Sequence, residues 1–391
     1  MGFFDKIMPD VLFFNSRVRA ELEALGQHKA IFGLEELGFP TKLGGAHVCI
    51  KTHFGALGNQ YYLRPAYIRF LCDKVKLCGG VPSAAETCGV GVPHSEGVYA
   101  GRSSEEEYIQ CALMHGFTRE TLGATILMLD GPYGMDYVET PVEGLRFNSV
   151  LVAGRLREFQ HLIFATHFKG HPNAGFGGAI KNLGIGCVTK GGKAEAHHSK
   201  LMEIDQEKCR ADCSICINGC MNKALSREGG ILLRDLAKCR KCRDCHSRCP
   251  NHAFIYDHVD DAQFLEQMVD NAKGVVNFFG SNIYYLNFVV DVTPNCDCSS
   301  ASDLPIVPDI GILASRDPVA LDQACVDLVH QSPATPGSIA TERTPAGQTD
   351  WFSYIYKESG NEVDARWQYQ LEVAEKVGLG SRDYHLVRMD E

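Results

Sequence analysis

The sequence predicts an α/β fold, a mostly parallel sheet with flanking helices, interrupted by a small α+β module. Three observations carry this. Short apolar runs alternate with stretches of helical periodicity before residue 205 and again after 258, which is the pattern of βαβ units. Between those limits the apolar periodicity fades, and Cys and basic residues dominate. The composition, 45% hydrophobic over 391 residues, is ordinary for a globular chain of two or three domains at roughly 150 residues each.

The elements follow in order. Val48–Lys51 reads as a strand that ends in the loop Thr52-His53-Phe54-Gly55, and Arg64–Leu77 and Glu105–Met114 carry helical periodicity. Ala124–Asp130, Ser149–Ala153 and His161–Thr166 read as strands, the last running into a Gly-rich loop. After the cysteine-rich stretch, Asp261–Ala272 and Asp317–Leu328 read as helices, and Ile283–Val290 and Ile310–Leu313 as strands. The domain plan is therefore 1–204 and 259–346 as two parts of one α/β domain, 205–258 as an insertion, and 347–391 as a helical segment packed on the outside. The insertion has too little apolar material for a core of its own and needs metal to fold.

Composition excludes some classes. A net charge of −10 and a pI of about 5.8 argue against a general nucleic-acid binder. The most apolar stretches, Ala124–Leu129 and Ile283–Val290, fall far short of the ~20 residues that span a bilayer. Met1–Asp10 lacks the apolar run and small-residue cleavage site of a signal peptide, and Lys6 breaks the myristoylation pattern. The expectation is a cytoplasmic protein. In a reducing setting, 17 Cys point to metal ligation over disulfides.

The spacing sharpens this. Cys239-x-x-Cys242-x-x-Cys245-x-x-x-Cys249-Pro250 matches the binding run of two-cluster bacterial ferredoxins, in which three thiolates wrap one [4Fe–4S] cubane and the fourth ligates the other cluster. A structural zinc site would favour two separated Cys pairs. A partner run lies upstream, Cys209-x-x-x-Cys213-x-x-Cys216-x-x-x-Cys220-Met221, with one extra residue in its first loop and Met in place of Pro. Cys220-Met-Asn-Lys-Ala-Leu225 mirrors Cys249-Pro-Asn-His-Ala-Phe254, so the module reads as a duplicated half-ferredoxin. Crossed ligation then assigns Cys209, Cys213, Cys216 and Cys249 to one cluster, and Cys239, Cys242, Cys245 and Cys220 to the other. The inserted residue either bulges the first loop harmlessly or leaves a labile first cluster. The module holds ten Lys and Arg against seven Asp and Glu from Asp205 to Asp257, with Lys238, Arg240, Lys241 and Arg243 crowded in the second loop. This excess either compensates cluster charge or forms a docking face for an acidic redox partner.

Several strings outside the module carry a resemblance. Lys51-Thr-His-Phe-Gly55 with Gly58-Asn59, His167-Phe-Lys-Gly-His171, Gly175-Phe-Gly-Gly-Ala-Ile-Lys-Asn-Leu-Gly184, Cys296-Asp-Cys298, Asp309-Ile-Gly-Ile312 and Asp317-Pro-Val-Ala-Leu-Asp322 resemble the DUF362 family of iron–sulfur centre proteins. The likeness covers roughly residues 45 to 330, with the ferredoxin module where such proteins carry it. It implies an iron–sulfur protein and no particular reaction. Glu86-Thr87-Cys88 departs from the family's usual end of the second strand.

The same strings carry chemistry. Glycines beside Lys and His, running into a helix start, suit a phosphate- or carboxylate-bearing molecule such as a flavin or an acidic substrate. Lys169, Gly177, Gly178, Asn182 and Lys193 are the candidates for binding it. The alternative is a structural Gly-rich turn with solvated lysines. No G-x-G-x-x-G follows a strand here. His53 ends a strand in a loop, where α/β proteins place ligand groups. With His167, His171 and Lys181 it makes the catalytic candidate set, as an acid–base group or a metal site. Cys296 and Cys298 are too close for an ordinary zinc pair and read as unpaired thiols, and Cys187 as an extra ligand or reactive thiol. Cys49, Cys72, Cys78, Cys111 and Cys325 sit in apolar stretches as small core residues.

The functional expectation is an iron–sulfur oxidoreductase of an anaerobic setting, passing single electrons through two [4Fe–4S] clusters to a substrate or flavin in the α/β domain. An electron-transfer subunit of a larger complex, and a metal- or cofactor-handling protein with structural clusters, stay open. Homo-oligomerisation stays open too.

Overall fold

The computed structural model of the protein describes residues 8–19, 28–90, 101–198, 202–255, 258–356 and 364–389; most of the segment weighed as an export signal lies outside them. The strands in chain order are β1 (Asp10–Asn15), β2 (His47–Lys51), β3 (Val81–Glu86), β4 (Thr125–Met128), β5 (Tyr137–Pro141), β6 (Ser149–Ala153), β7 (His161–His167) and β8 (Lys169–His171). They continue as β9 (Gly175–Gly177), β10 (Glu203–Ile204), β11 (Leu225–Glu228), β12 (Ile231–Arg234), β13 (Phe254–Ile255), β14 (Ile283–Val289), β15 (Gly311–Ser315) and β16 (His385–Arg388).

Eight of these build one sheet in the order β16, β1, β15, β14, β7, β2, β3, β4. Five of its pairings are parallel, and only the two made by β15 are antiparallel. The fold is thus α/β with a large, mostly parallel sheet and flanking helices. Successive side chains of a strand point to opposite faces, and both faces of this sheet are covered. Ile283, Tyr285 and Val289 of β14 enter one apolar core, and Tyr284, Leu286 and Phe288 the other. A strand buried on both sides reads as a continuous apolar run, which is why β14 is legible from sequence.

Helices cover each face by their 3.6-residue period. Helix Pro65–Leu77 packs Ile68, Leu71, Cys72 and Val75 into the second core; it starts with Pro at its first turn and stops before the left-handed Gly79. Helix Asp261–Phe279 packs Phe264, Leu265, Met268, Val269, Ala272 and Val275 into the first. It runs past the expected end at Ala272, and its Gly274 lies against Val150: a Cβ there would sit 2.1 Å from Val150 Cγ2. The glycine that weakens the helix signal is what lets the strand approach.

Two expectations are corrected. Ser149–Ala153 is a strand, but it forms a separate hairpin with Tyr137–Pro141 and does not join the large sheet. The C-terminal segment is helical over Trp351–Ile355 and Arg366–Lys376, as expected, but it does not lie wholly on the outside. Trp351, Phe352, Trp367 and Leu371 are core residues, and β16 adds a parallel edge strand beside β1. The five buried members of the small core in 202–255 are Met202, Cys216, Leu225, Leu232 and Phe254. Among the described residues no helix is long and apolar enough to cross a membrane.

Candidate functional site

The cysteine module is built twice. Asp205 and Asp235 each open a half: their backbone N–H groups donate to Ala253 O and Ala224 O, both at 2.8 Å, so each half is held by the other. Each Asp caps the turn leading to the first Cys of its run, Asp205 Oδ1 accepting from the N–H of Glu207 and Lys208, Asp235 Oδ1 from those of Ala237 and Lys238. At the far end Lys223 and His252 take matching left-handed conformations, φ 50° and 48°. Each turns the next N–H onto a sulfur: Ala224 N to Cys220 Sγ and Ala253 N to Cys249 Sγ, both 3.3 Å.

The eight cysteines then fall into two groups of four. Cys209, Cys213, Cys216 and Cys249 line one cavity. Cys220, Cys239, Cys242 and Cys245 line the other, which lies against Met135, Phe147, Glu195 and Gln267 of the α/β domain. Burial pushes the Cys242 thiol up to about 12 and raises Cys216 and Cys245 as well. A thiolate at these positions therefore needs a cation beside it. The extra residue of the first loop is absorbed locally. Arg210 and Asp212 close on each other at 2.6 Å and Cys213 N–H donates to Arg210 O. The repeat offset drops from 30 residues (205 and 235, 209 and 239) to 29 (213 and 242, 220 and 249). Arg227 bridges this loop, donating to Cys209 Sγ at 3.4 Å and to Cys213 O at 2.9 Å.

Most of the crowded basic loop is paired, although Lys238 and Arg240 stand exposed. Lys241 pairs with Glu195, Arg240 donates to Tyr137 Oη at 3.0 Å and stacks on its ring, and Lys238 pairs with Asp235 at 3.1 Å. Lys190 lies 3.7 Å from Asp244, in the loop between Cys242 and Cys245. The contacts of Lys241, Arg240 and Asp244 bind the module to the α/β domain, and that of Lys238 stays within the module.

The second site lies along the edge where the parallel strands β2, β3, β7 and β14 end, the place where open α/β sheets bind ligands. Lys51, wholly buried, pairs with Glu86 at 2.7 Å and donates to Asn182 Oδ1 at 2.8 Å. Burial works to raise Glu86, but Lys51, His53 and Lys193 together hold it below the usual carboxylate range. Lys193 donates to Thr87 Oγ1 at 2.6 Å and to Cys88 O, and burial lowers its pKa. His53 accepts from Gly55 N–H at 2.9 Å, and burial lowers its pKa to about 4, so it is a neutral imidazole at pH 7.

The remaining candidates divide. His167 engages both ring nitrogens, Nδ1 with Asp297 Oδ1 at 2.8 Å and Nε2 with Val290 O at 2.9 Å. Lys169 donates to His167 O at 2.7 Å and stands 3.4 Å from Asp297. These contacts hold the loop 290–298. His171, Lys181, Cys296 and Cys298 do come together: Lys181 Nζ is 3.6 Å from Cys296 Sγ, and one ligand atom each of His171, Cys296 and Cys298 lie within 4.8 Å of one another. Sequence reasoning does not find this meeting, because the Gly-rich run and the Cys-x-Cys pair are brought together only by the pairing of β7 with β14.

The anion cradle expected at Gly177 and Gly178 is filled at Gly178 by the protein itself. Asp322 accepts from Ala179 N–H at 2.8 Å, Ile180 N–H at 2.9 Å and Asn287 Nδ2 at 2.7 Å. A Cβ on Gly178 would fall 2.3 Å from Asp322 Oδ1. Asn182 likewise bridges Thr166 and Lys51. Cys187 is fully buried, with its thiol pushed up to about 12 by burial, and is inert. Cys49, Cys72, Cys78, Cys111 and Cys325 are core residues.

The fold and site define an α/β protein with a charged strand-end edge, to which a duplicated cysteine module is bound. The chain belongs to the family described as "Domain of unknown function (DUF362)", whose pattern matches residues 48–327. No curated protein matches it. Among solved structures it is similar to the lactate racemase apoprotein from Thermoanaerobacterium thermosaccharolyticum, at 13% identity and a TM-score of 0.32, over 66% of this chain and 48% of that one. A Thermotoga maritima protein matches at 11% identity and a TM-score of 0.35, over 78% and 59% of the two chains. The matches thus take in less than two thirds of either structure, and likenesses this distant carry no functional argument.

Proposed function

We propose that the protein is an iron–sulfur oxidoreductase whose cysteine module holds two [4Fe–4S] clusters and whose strand-end edge holds a small-molecule substrate. The single observation that carries this is the grouping of the eight cysteines into two quartets, each around its own cavity, in a module with a five-residue apolar core. Cys209, Cys213, Cys216 and Cys249 would hold one cluster, and Cys220, Cys239, Cys242 and Cys245 the other. Bound clusters supply one-electron transfer at potentials set by hydrogen bonds to sulfur and by burial. The chain's own contributions are the matched N–H donors of Ala224 and Ala253 and the Arg227 guanidinium, all of which favour the reduced, more negative state. Lys190 brings positive charge to the second quartet from the α/β side.

The buried Lys51, Glu86, Lys193 and neutral His53 favour an enzyme over a bare electron-transfer subunit, since docking alone does not require buried charge at strand ends. With the turn at Gly178 closed by Asp322, no flavin is proposed there. A redox partner would meet the module at apolar side chains that stand exposed, among them Met221, Ile231 and Leu236.

The test is anaerobic purification with iron and acid-labile sulfide assays and visible spectra before and after dithionite. About eight of each per chain and a band that bleaches are expected for two cubanes. Zinc in place of iron, or a metal-free module linked by disulfides, overturns the reading.

A further inference from the structure

Cys296 Sγ sits in a buried ring of donors. Lys181 Nζ is 3.6 Å away, the Cys298 backbone N–H donates to it at 3.3 Å, and the His171 imidazole lies beside it. Cys298, two residues on, is half-buried, whereas Cys296 is 3% exposed. The loop that carries them is anchored by His167 to Asp297, by Lys169 to Asp297, and by Arg102 to Cys298 O at 2.9 Å.

Three ligand atoms this close suggest a cation, but the surroundings argue against one. Nδ1 of His171 accepts from the N–H groups of Asn173 and Ala174 at 3.1 and 3.2 Å. A metal-bound imidazole donates from its other nitrogen, and here that nitrogen would face donors. If Nδ1 were itself the ligand, its lone pair would already be taken. A lysine ammonium stands where a cation would be repelled. The arrangement is complementary to one negative sulfur.

We propose that Cys296 and Cys298 form a redox-active dithiol–disulfide couple, with Cys296 the buried thiolate and Cys298 the sulfur that meets an external thiol. Contact with Cys298, then Lys181 and His171, holds Cys296 well below the usual thiol range, and contact with Cys296 raises Cys298. In the oxidised form an external thiolate attacks Cys298 Sγ. The Cys296–Cys298 bond breaks, and Cys296 leaves as the thiolate that Lys181 stabilises; a low-pKa sulfur leaves fastest. A second external thiolate attacks the outer sulfur of the mixed disulfide, releasing an external disulfide. Cys298 departs as a thiolate and takes one proton from water. Two electrons pass from two external thiolates to the protein disulfide. The two sulfurs lie within 4.8 Å of each other, and closing the disulfide brings them to a bond of about 2.05 Å.

This inference stands apart from the iron–sulfur reading, because it uses none of the eight module cysteines. The experiment equilibrates the whole protein, without oxygen, in glutathione buffers of graded ratio. After acid quenching and alkylation, mass spectrometry follows the peptide carrying Cys296 and Cys298. A linked form that appears and disappears reversibly, with one two-electron midpoint, is expected. Lys181→Met should lower that midpoint by about tenfold in the exchange constant, about 30 mV, and Lys181→Arg should restore most of it. No linked form at any ratio overturns the proposal, as does a midpoint indifferent to Lys181→Met. So does a stoichiometric metal lost in Cys296→Ser. Iron assays on Cys296→Ser and Cys298→Ser separate the two readings. Unchanged iron with the couple abolished is expected; absent iron in wild type with the couple intact would sink the clusters alone.

Discussion

Lys190 Nζ lies 3.7 Å from Asp244 Oδ1, and both side chains are buried where the α/β domain meets the second cysteine loop. Burial raises the Asp244 carboxyl, and Lys190 draws it back. Removing the lysine leaves a buried carboxylate beside a sulfur quartet, and breaking a buried pair from one side costs on the order of 3 kcal/mol. Lys190→Met should therefore lower the urea midpoint of the protein. Lys190→Met with Asp244→Asn should recover part of the loss, since no lone charge then remains. A double variant as unstable as the sum of the singles would show that the two groups do not interact.

Asp322 closes the Gly-rich loop by accepting three N–H donors, from Ala179, Ile180 and Asn287. Asp322→Ala leaves these buried donors unsatisfied, at about 1–3 kcal/mol each at most. A loss of roughly 3 kcal/mol in chemical denaturation is the expected outcome. Gly178→Ala should be destabilising by the same route, since the new methyl would displace the carboxylate. Full stability in Gly178→Ala would mean that Asp322 is not the group that fills this cradle.

How far the molecule was legible follows from which interactions are local. Helix Glu105–Met114 is bounded by a Ser104 cap and three acidic residues in its first turn, all within a few residues, and its limits are read correctly. The cysteine quartets depend on spacing within one run and on a repeat 29 or 30 residues away, so their membership can be written down before any fold. β1 and β16 are short, and four to six residues hold too little pattern to announce a strand. The Gly-rich loop misleads for a related reason. Glycine signals that something approaches closely, but not that the visitor is Asp322 from a helix far along the chain. Cys296 looks like an idle thiol until β7 and β14 pair and bring His171 and Lys181 to it.

Arg227 donates to Cys209 Sγ, a cysteine of the first quartet. If clusters are bound as proposed, Arg227→Gln should lower the potential of the one held by Cys209, Cys213, Cys216 and Cys249. One charge-assisted hydrogen bond at about 1.4 kcal/mol corresponds to roughly 60 mV for one electron. The other potential should hold still in the same titration. Equal movement of both, or of neither, would show that Arg227 does not tune one site.

His197 ends the helix Lys190–His197, with Nδ1 donating to Lys193 O at 2.7 Å and its ring 4.6 Å from that of Phe264. Burial lowers its pKa to about 4, against the opposing pull of the Lys193 carbonyl. In the unfolded chain a histidine titrates near 6.5, so between about pH 4 and 6.5 the unfolded state binds the extra proton. The stability tied to His197 is thus complete above pH 6.5 and is lost as pH falls towards 4, with a slope of about 1.4 kcal/mol per pH unit. Asp130 and Asp322, raised to about 6 chiefly by burial, act in the opposite sense over part of this range. The wild-type curve alone therefore hides the effect. Urea midpoints of wild type and His197→Asn, taken at matched pH, isolate it because the aspartates are common to both. The gap should be constant above pH 7 and should shift steadily in the variant's favour from pH 6.5 to 4. Parallel curves throughout would mean that His197 protonates as readily in the folded protein as in the unfolded chain.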